Sequence, residues 1–532
     1  MIEKLSNPLI ELAKENKPIM YLKNDTVSLD LFSQEGLSNW IAAGAGGLLV
    51  YSNKIGWLVY NNDNGAFQND FAECVIFTLF KTYRELLLHS YIAKVNNADQ
   101  QTAFNEYKKF STRSYKSAVM KLLEHEPKIA IVPAGLDAGN DVINCSGLAV
   151  SVDGTKRAAA ASDMFTMSTA VKPENGTPDK FMEFLQWATC GDKELSGWLL
   201  TVCGVALFGH ATDRIINFYG LGGNGKGTLL RILKSIMGSY AVTLPRGLVI
   251  KEAGQNNRFE LSTLEGKRAA ILFDCKPDRG KLNLDVLKSI AGNGDTVFIE
   301  KKGFQGYDTA LKCKLFLASN DKIPIDAYGE SERRRFYLVP FNARVTNKDE
   351  TLEDRLKPEY GKILNLFIQY AVRYFKNGRK LPDCKAIEAA TANYFASQDI
   401  IGQFLQDTAA FTKADYEGKK ELYQRFEVYC FDQHGLKPMK PKTFANELEK
   451  RGVYERVKAI EGKATRVYFA ENYKITKKPE FQLYSHESAA IKASTNLGNS
   501  CNFVIETDKP ETSILTPDQE AYWNDTTGVG GY

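Results

Sequence analysis

The stretch FYGLGGNGKGTLL, residues 218–230, decides how this chain is read. Five glycines surround a single lysine, with apolar residues on either side. Ile215–Tyr219 is a short β-prone run. The segment TLLRILKSIM (228–237) spaces Leu229, Leu230, Ile232, Leu233 and Ile236 so that they can face a sheet. A glycine-rich turn between strand and helix is the setting a phosphate-binding loop requires. Glycines permit positive φ and let successive backbone N–H groups converge on phosphate oxygens, and the helix that follows aims its N-terminal dipole at the same anion. The spacing Gly220-x4-Gly225-Lys226 fits. Gly220, Gly222, Gly223, Asn224, Gly225, Lys226, Gly227 and Thr228 are therefore the expected ATP-binding residues, with Lys226 reaching the β- and γ-phosphates. One position departs from the pattern. Gly227 stands where Ser or Thr normally offers a hydroxyl to Mg²⁺; Thr228 or a water takes that role, and the sequence leaves both open.

The chain has 532 residues, enough for roughly two to four domains. Its 44% apolar and 25% charged residues are those of a globular protein. A formal net charge of +4 means that any nucleic-acid role rests on local patches. Nine scattered cysteines without a CxxC pair, and five histidines, argue against a disulfide framework or a zinc site and fit a reducing cytoplasm. The N-terminus lacks the apolar core of a secretory signal. The longest apolar stretch, GWLLTVCGVALFG (197–209), is shorter than the roughly 20 residues a membrane span needs, so no membrane partner is expected.

Beyond the glycine loop, RAAILFD (268–274) reads as a strand closing on Asp274. A carboxylate there can hold the water shell of Mg²⁺ and orient an attacking water. Asp278 follows closely, so which carboxylate is the base stays open. CKLFLASN (313–320) is another strand, ending in Asn320, whose amide can bond a γ-phosphate or the attacking water. GESERRRFYLVPF (329–341) carries Arg333, Arg334 and Arg335; an arginine aimed at a γ-phosphate stabilises phosphoryl transfer.

In that order these motifs resemble the core of the superfamily 3 helicases, a branch of the AAA+ ATPases found in viruses, phages and plasmids. GLGGNGKGT is similar to the phage and plasmid version of the phosphate loop, and ILFDCK to the second motif, where that version often has Glu in place of Asp274. FLASNDKIP resembles the third motif, with Asn320 as sensor. RRRFYLVPF resembles the closing arginine segment, in which Arg334 and Arg335 match best. LKSIAGNGDTVFIEKKGF (287–304) resembles a hairpin that carries Lys301 and Lys302 into the channel of a ring, with Phe304 beside them to stack on a base or wedge a strand. The resemblance is specific over 215–341 and weaker over the rest of 36–475. It implies a hexameric, 3′-to-5′ motor on single-stranded DNA using ATP and Mg²⁺. Thr228 and Asp274 would be on the metal, and the catalytic set would be Lys226, Asp274, Asn320, Arg334 and Arg335, with one of the two arginines reaching the site from the neighbouring subunit. Larger relatives carry a primase-polymerase domain upstream; the sequence here starts too late to contain one, so primer synthesis is not expected.

The expected fold is multidomain α/β. Residues 1–185 form an N-terminal α+β domain, and 186–345 an AAA+-type P-loop ATPase core with a helical lead-in. A helical segment packing on the core (346–410), a winged-helix-like domain (411–475) and a polar tail (476–532) follow. Between Lys437 and Arg466 nine Lys and Arg face four Glu. Lys440, Lys442, Arg456, Lys458, Lys463 and Arg466 are the expected DNA contacts there, one helix entering a groove and the hairpin resting on backbone. The expected function is an ATP-driven DNA helicase in the replication of a phage, plasmid or mobile element, in a bacterial cytoplasm. Its expected partners are single-stranded DNA, origin duplex, further copies of itself and a separate primase or replication protein. Two alternatives stay open: an ATP-switched origin-binding or loading protein, and a small-molecule P-loop kinase.

Overall fold

Short apolar runs fill 215–219, 269–272 and 314–319, with apolar residues at helical spacing between them, and the computed structural model pairs those runs side by side as strands. It describes residues 8–12, 22–23, 26–27, 33–45, 47–70, 73–92, 104–105, 108–132, 135–210, 214–251, 258–275, 281–291, 296–300, 306–323, 334–345, 349–408, 416–434, 436–460 and 463–470. The chain is a multidomain α/β protein with two compact units, Met1–Gln403 and Phe404–Tyr532.

The centre of the first unit is a parallel sheet. Its strands are β1 (Ile215–Tyr219), β2 (Ala241–Thr243), β3 (Ala269–Leu272), β4 (Lys314–Ser319) and β5 (Phe336–Pro340), in the order β2-β3-β4-β1-β5. Every pairing is parallel: Ala269 faces Lys314, Leu315 faces Ile215, and Phe336 faces Ile215 from the other side. β3 and β4 are buried along almost their whole length, as strands of a sheet covered on both faces must be. Between them in sequence lies an antiparallel hairpin, Thr296–Ile299 with Tyr307–Ala310.

Helices clothe this sheet. They are α1 (Asp179–Ala188), α2 (Lys193–Val205), α3 (Lys226–Met237), α4 (Tyr360–Lys376) and α5 (Lys385–Gln398). The apolar run 197–209 is α2 and its end, a buried helix. Gly204 lets α2 and α4 approach: a Cβ there would stand 2.2 Å from the carbonyl oxygen of Phe367. α5 lies along β5, with Tyr394 stacked on Phe336 at 5.1 Å and Thr391 Oγ1 accepting from the Leu338 N–H at 3.0 Å.

Upstream, helices Gln34–Gly44, Cys74–Ile92 and Arg113–Leu123 and the meander Leu49–Ser52, Gly56–Asn61, Ala66–Asn69 enclose a separate core round Trp40, Trp57, Leu79 and Val119. The segment DVINCSGLAVSVDGTK (141–156) alternates in sequence as a single hairpin would, with Asp153-Gly154 as its turn, but it makes two turns and, with the residues that follow, pairs three strands, Val142–Asn144, Leu148–Ser151 and Lys156–Ala158. Its Ile143, Cys145 and Val150 join the core of the central sheet. Arg268, just before β3, ties the two together: its guanidinium donates to the carbonyls of Leu207 (2.7 Å), Gly139 (3.2 Å) and Val142 (3.0 Å) and stacks over Tyr240.

In the second unit, strand Tyr416–Gly418, helix Lys419–His434, helix Pro441–Glu449 and the hairpin Val453–Ile460 with Lys463–Ala470 follow one another. Lys463–Ala470 is the middle strand of the small sheet. Phe426 and Phe444 stack at 4.4 Å in its core. The sequence KPMKPKTFANELEKRG (437–452) reads as a turn followed by a helix with Thr443 as a candidate cap, but Thr443 lies inside the first turn. Lys440 is the N-cap and Pro441 follows, because proline's fixed φ suits the first helical position.

Candidate functional site

The glycine loop leaves β1 at its C-terminal end and enters α3 at Lys226. β1 is flanked by β4 and β5, while the next strand in sequence, β2, lies at the far edge; this is where strand order reverses and a parallel sheet opens a crevice. Two glycines are required by geometry. Gly225 is the N-cap of α3 with φ +86°, and a Cβ there would press on Phe184, Trp187 and Ala188 of α1. At Gly220 a Cβ would lie 2.2 Å from the Phe341 carbonyl. The loop is pinned from the same side, since Asn224 Nδ2 donates to that carbonyl at 2.9 Å.

Lys226 is only 8% exposed. Its Nζ donates to Gly220 O at 2.8 Å, Asn224 Oδ1 at 3.4 Å and Asn320 Oδ1 at 2.5 Å. Burial pulls its ammonium below the ordinary value, and the Asp274 carboxylate opposes that shift. Asp274 lies two residues beyond β3, at φ +51°, and the next N–H, that of Cys275, donates to Ala318 O of β4 at 2.6 Å. Lys226, Asp274, Asn320, Thr228 and the loop residues 223–227 line one cleft of about 780 Å³. Gly222 is exposed on the loop. The sites read from sequence at positions 226, 274 and 320 thus meet, because parallel register carries the ends of β1, β3 and β4 to one edge.

Arg334 and Arg335 do not meet them. The Arg335 carbonyl accepts from the Ile215 N–H at 2.6 Å, which puts both arginines at the start of β5 and at the opposite edge of the sheet. A five-residue strand separates the two edges by about 16 Å. Lys301, Lys302 and Phe304, with Asp278 and Arg333, lie outside the described residues.

Sequence reasoning missed the other wall of the cleft. Phe184 and Trp187 of α1 and Val345, Leu352 and Leu356 make it apolar, while Lys180, Arg231, Arg355, Asp349, Glu350 and Glu353 supply charge. Arg231 pairs with Glu353 at 2.5 Å and donates to Thr228 Oγ1 at 3.2 Å. The one signal available was an arginine on the polar side of α3, close behind the loop. In the second unit Lys440 and Lys442 are exposed at the start of the second helix, and Arg456, Lys463 and Arg466 are exposed on the hairpin. Period-two alternation puts Arg456 and Lys458 on one face, over Phe469 (5.6 Å) and Tyr416 (3.4 Å). Arg466 pairs with Glu455 at 3.5 Å.

Among the described residues, no group of three or more His, Cys, Asp and Glu side chains is placed to hold a metal, and no helix is long and apolar enough to cross a membrane. A protein-family model described as "Family of unknown function (DUF5906)" matches residues 218–335. No curated protein matches the chain. Among solved structures, "The A form apo structure of NrS-1 C terminal region-CTR" is similar at 13% identity and TM-score 0.41, covering 79% of this chain and 95% of that one. "The apo structure of NrS-1 C terminal region (305-718)" is similar at 16% identity and TM-score 0.38, covering 66% of this chain and 90% of that one.

Proposed function

We propose that this chain is an ATP-hydrolysing, ring-forming DNA helicase of the AAA+ branch, acting in replication of a phage, plasmid or mobile element. The observation that carries the reading is the position of Lys226. It is buried beneath a glycine loop at the switch point of a parallel sheet, hydrogen-bonded to Asn320 and within reach of the Asp274 charge. That arrangement supports a P-loop core. The ammonium, shared among three oxygen acceptors, would turn to the β- and γ-phosphates, and the released Asn320 amide would hold the γ-phosphate or the attacking water. Phe184, Trp187 and Leu352 offer an apolar wall for the base.

Mg²⁺, when bound, neutralises charge on the β- and γ-phosphates. The residues fit it in part. The Asp274 carboxylate lines the cleft and would hold the ion directly or through water, whereas the Thr228 hydroxyl already accepts a hydrogen bond from Arg231. Arg334 and Arg335, at the far edge of the sheet, would complete the site of a neighbouring copy. A hexamer with Lys301 and Lys302 in its channel follows from the family resemblance. Strand, helix, helix and hairpin in the second unit support a winged-helix reading, with DNA at the exposed basic residues.

The test is ATP turnover with and without single-stranded DNA, alongside strand displacement, with Lys226→Ala as control. DNA-stimulated turnover and strand separation, both lost in Lys226→Ala, are expected. ATP-dependent DNA binding without strand separation would favour an origin-binding switch. Turnover indifferent to DNA and to assembly would favour a small-molecule kinase.

A further inference from the structure

We propose that Arg231 is a second phosphate-binding cation of the cleft, held by Glu353 until a nucleotide's phosphates displace that carboxylate; this rests on the nucleotide reading above. Arg231 lies on α3, five positions beyond Lys226. A Cβ built on Gly227 would stand 3.2 Å from Arg231 Nη1. The guanidinium therefore occupies the space beside the backbone position where a phosphate loop carries its metal-binding hydroxyl. Its Nη2 engages the nearby Thr228 hydroxyl at 3.2 Å, and its Nε donates to Glu353 Oε1 at 2.5 Å. Arg231, Thr228, Glu353 and Lys226 all line the one cleft.

The glycine at 227 and the arginine are thus neighbours in space: a Ser or Thr Cβ at 227 would make the end of the guanidinium give by a few tenths of an ångström. The Arg231–Glu353 pair is half in solvent, with side-chain exposures of 50% and 36%, so it is screened and easily exchanged. A guanidinium facing phosphates gains charge-assisted, forked hydrogen bonds. Arg355, the other arginine of this wall, is a poorer candidate. Its partner Asp349 also accepts from the N–H and hydroxyl of Thr351, at 2.9 and 2.7 Å, and so belongs to a turn that holds the wall together.

Binding of ATP, measured by titration calorimetry in Mg²⁺ and again in EDTA, tests this in the full chain. Arg231→Gln is expected to weaken ATP binding by about tenfold or more, with the larger loss in EDTA. Glu353→Gln, which frees the guanidinium, is expected to tighten it severalfold. Both substitutions break the same ion pair, so a merely structural bridge predicts the same direction for both. Opposite directions support the proposal. Equal losses, or an Arg231→Gln variant that binds as well as the wild type, overturn it. If the wild type binds ATP no better than Lys226→Ala does, the nucleotide reading itself falls, and that outcome is distinct from an Arg231 failure.

Discussion

Lys226 and Asn320 lie 94 positions apart and share a hydrogen bond of 2.5 Å, Nζ donating to Oδ1. The bond exists because β1 and β4 pair in parallel with Tyr219 opposite Ser319, so the residues that follow each strand emerge side by side. A charged donor and a neutral amide are thereby fixed at the mouth of the cleft, where a triphosphate would compete for both.

Asn320→Ala should leave ATP binding within about threefold of the wild type yet lower turnover by about 10²-fold, the scale of losing one positioned donor. Lys226→Ala should lose binding and turnover together. Steady-state ATPase assays and nucleotide titrations read the difference. Full turnover in Asn320→Ala would remove that amide from the chemistry.

Arg334→Ala and Arg335→Ala should spare nucleotide binding, since neither residue is near its own cleft. At least one should lower turnover by about 10³-fold. Mixing that variant with Lys226→Ala should recover some activity, because a mixed interface can pair an intact cleft with an intact arginine. Wild-type turnover in both single variants would sink the shared-site arrangement.

Lys314 titrates in the interior. It is 1% exposed, its ammonium donates to the His210 carbonyl, and burial, aided by the Arg268 charge and opposed by Cys313, brings its pKa down to about 7. In the unfolded chain a lysine titrates near 10.4. Between those values the unfolded state binds the extra proton, so this residue makes stability rise as pH increases from about 7 toward about 10. Burial lowers Lys267 and Lys312 in the same direction, so comparison of Lys314→Met with the wild type isolates Lys314. Urea midpoints taken across this range should climb less in Lys314→Met. Parallel pH profiles would show that Lys314 does not carry the effect.

Arg456→Ala combined with Lys458→Ala should weaken duplex binding and reduce the slope of log K against log salt by about 2, one unit for each phosphate left without its cation. Fluorescence anisotropy at several salt concentrations measures both. ATP turnover without DNA should stay at the wild-type rate. An unchanged slope would assign this hairpin face to something other than nucleic acid.

Local features were legible. The glycine spacing put Lys226 just ahead of an amphipathic helix read over 228–237, which in the structure already begins at Lys226, and the apolar runs in 268–274 and 313–320 marked β3 and β4. Less local features were not. The run DVINCSGLAVSVDGTK showed alternation, and its extra turn at Cys145–Gly147 was hidden because Ser146 and Gly147 adopt positive φ within a stretch that otherwise reads as strand. The charged wall of the cleft was also invisible. Arg231 and Glu353 are 122 positions apart, and each alone looks like an ordinary solvated residue.

The order of residues was enough to mark the strands and helices round the glycine loop and to put a lysine just ahead of the helix that follows it, because apolar periodicity and glycine content act within a few residues along the chain. It took the folded sheet to bring Asp274 and Asn320 to Lys226 and to send Arg334 and Arg335 to the opposite edge. Strand order and direction settle that, and they follow from how the sheet buries both faces between helices, a property of the whole core that no short stretch of residues carries.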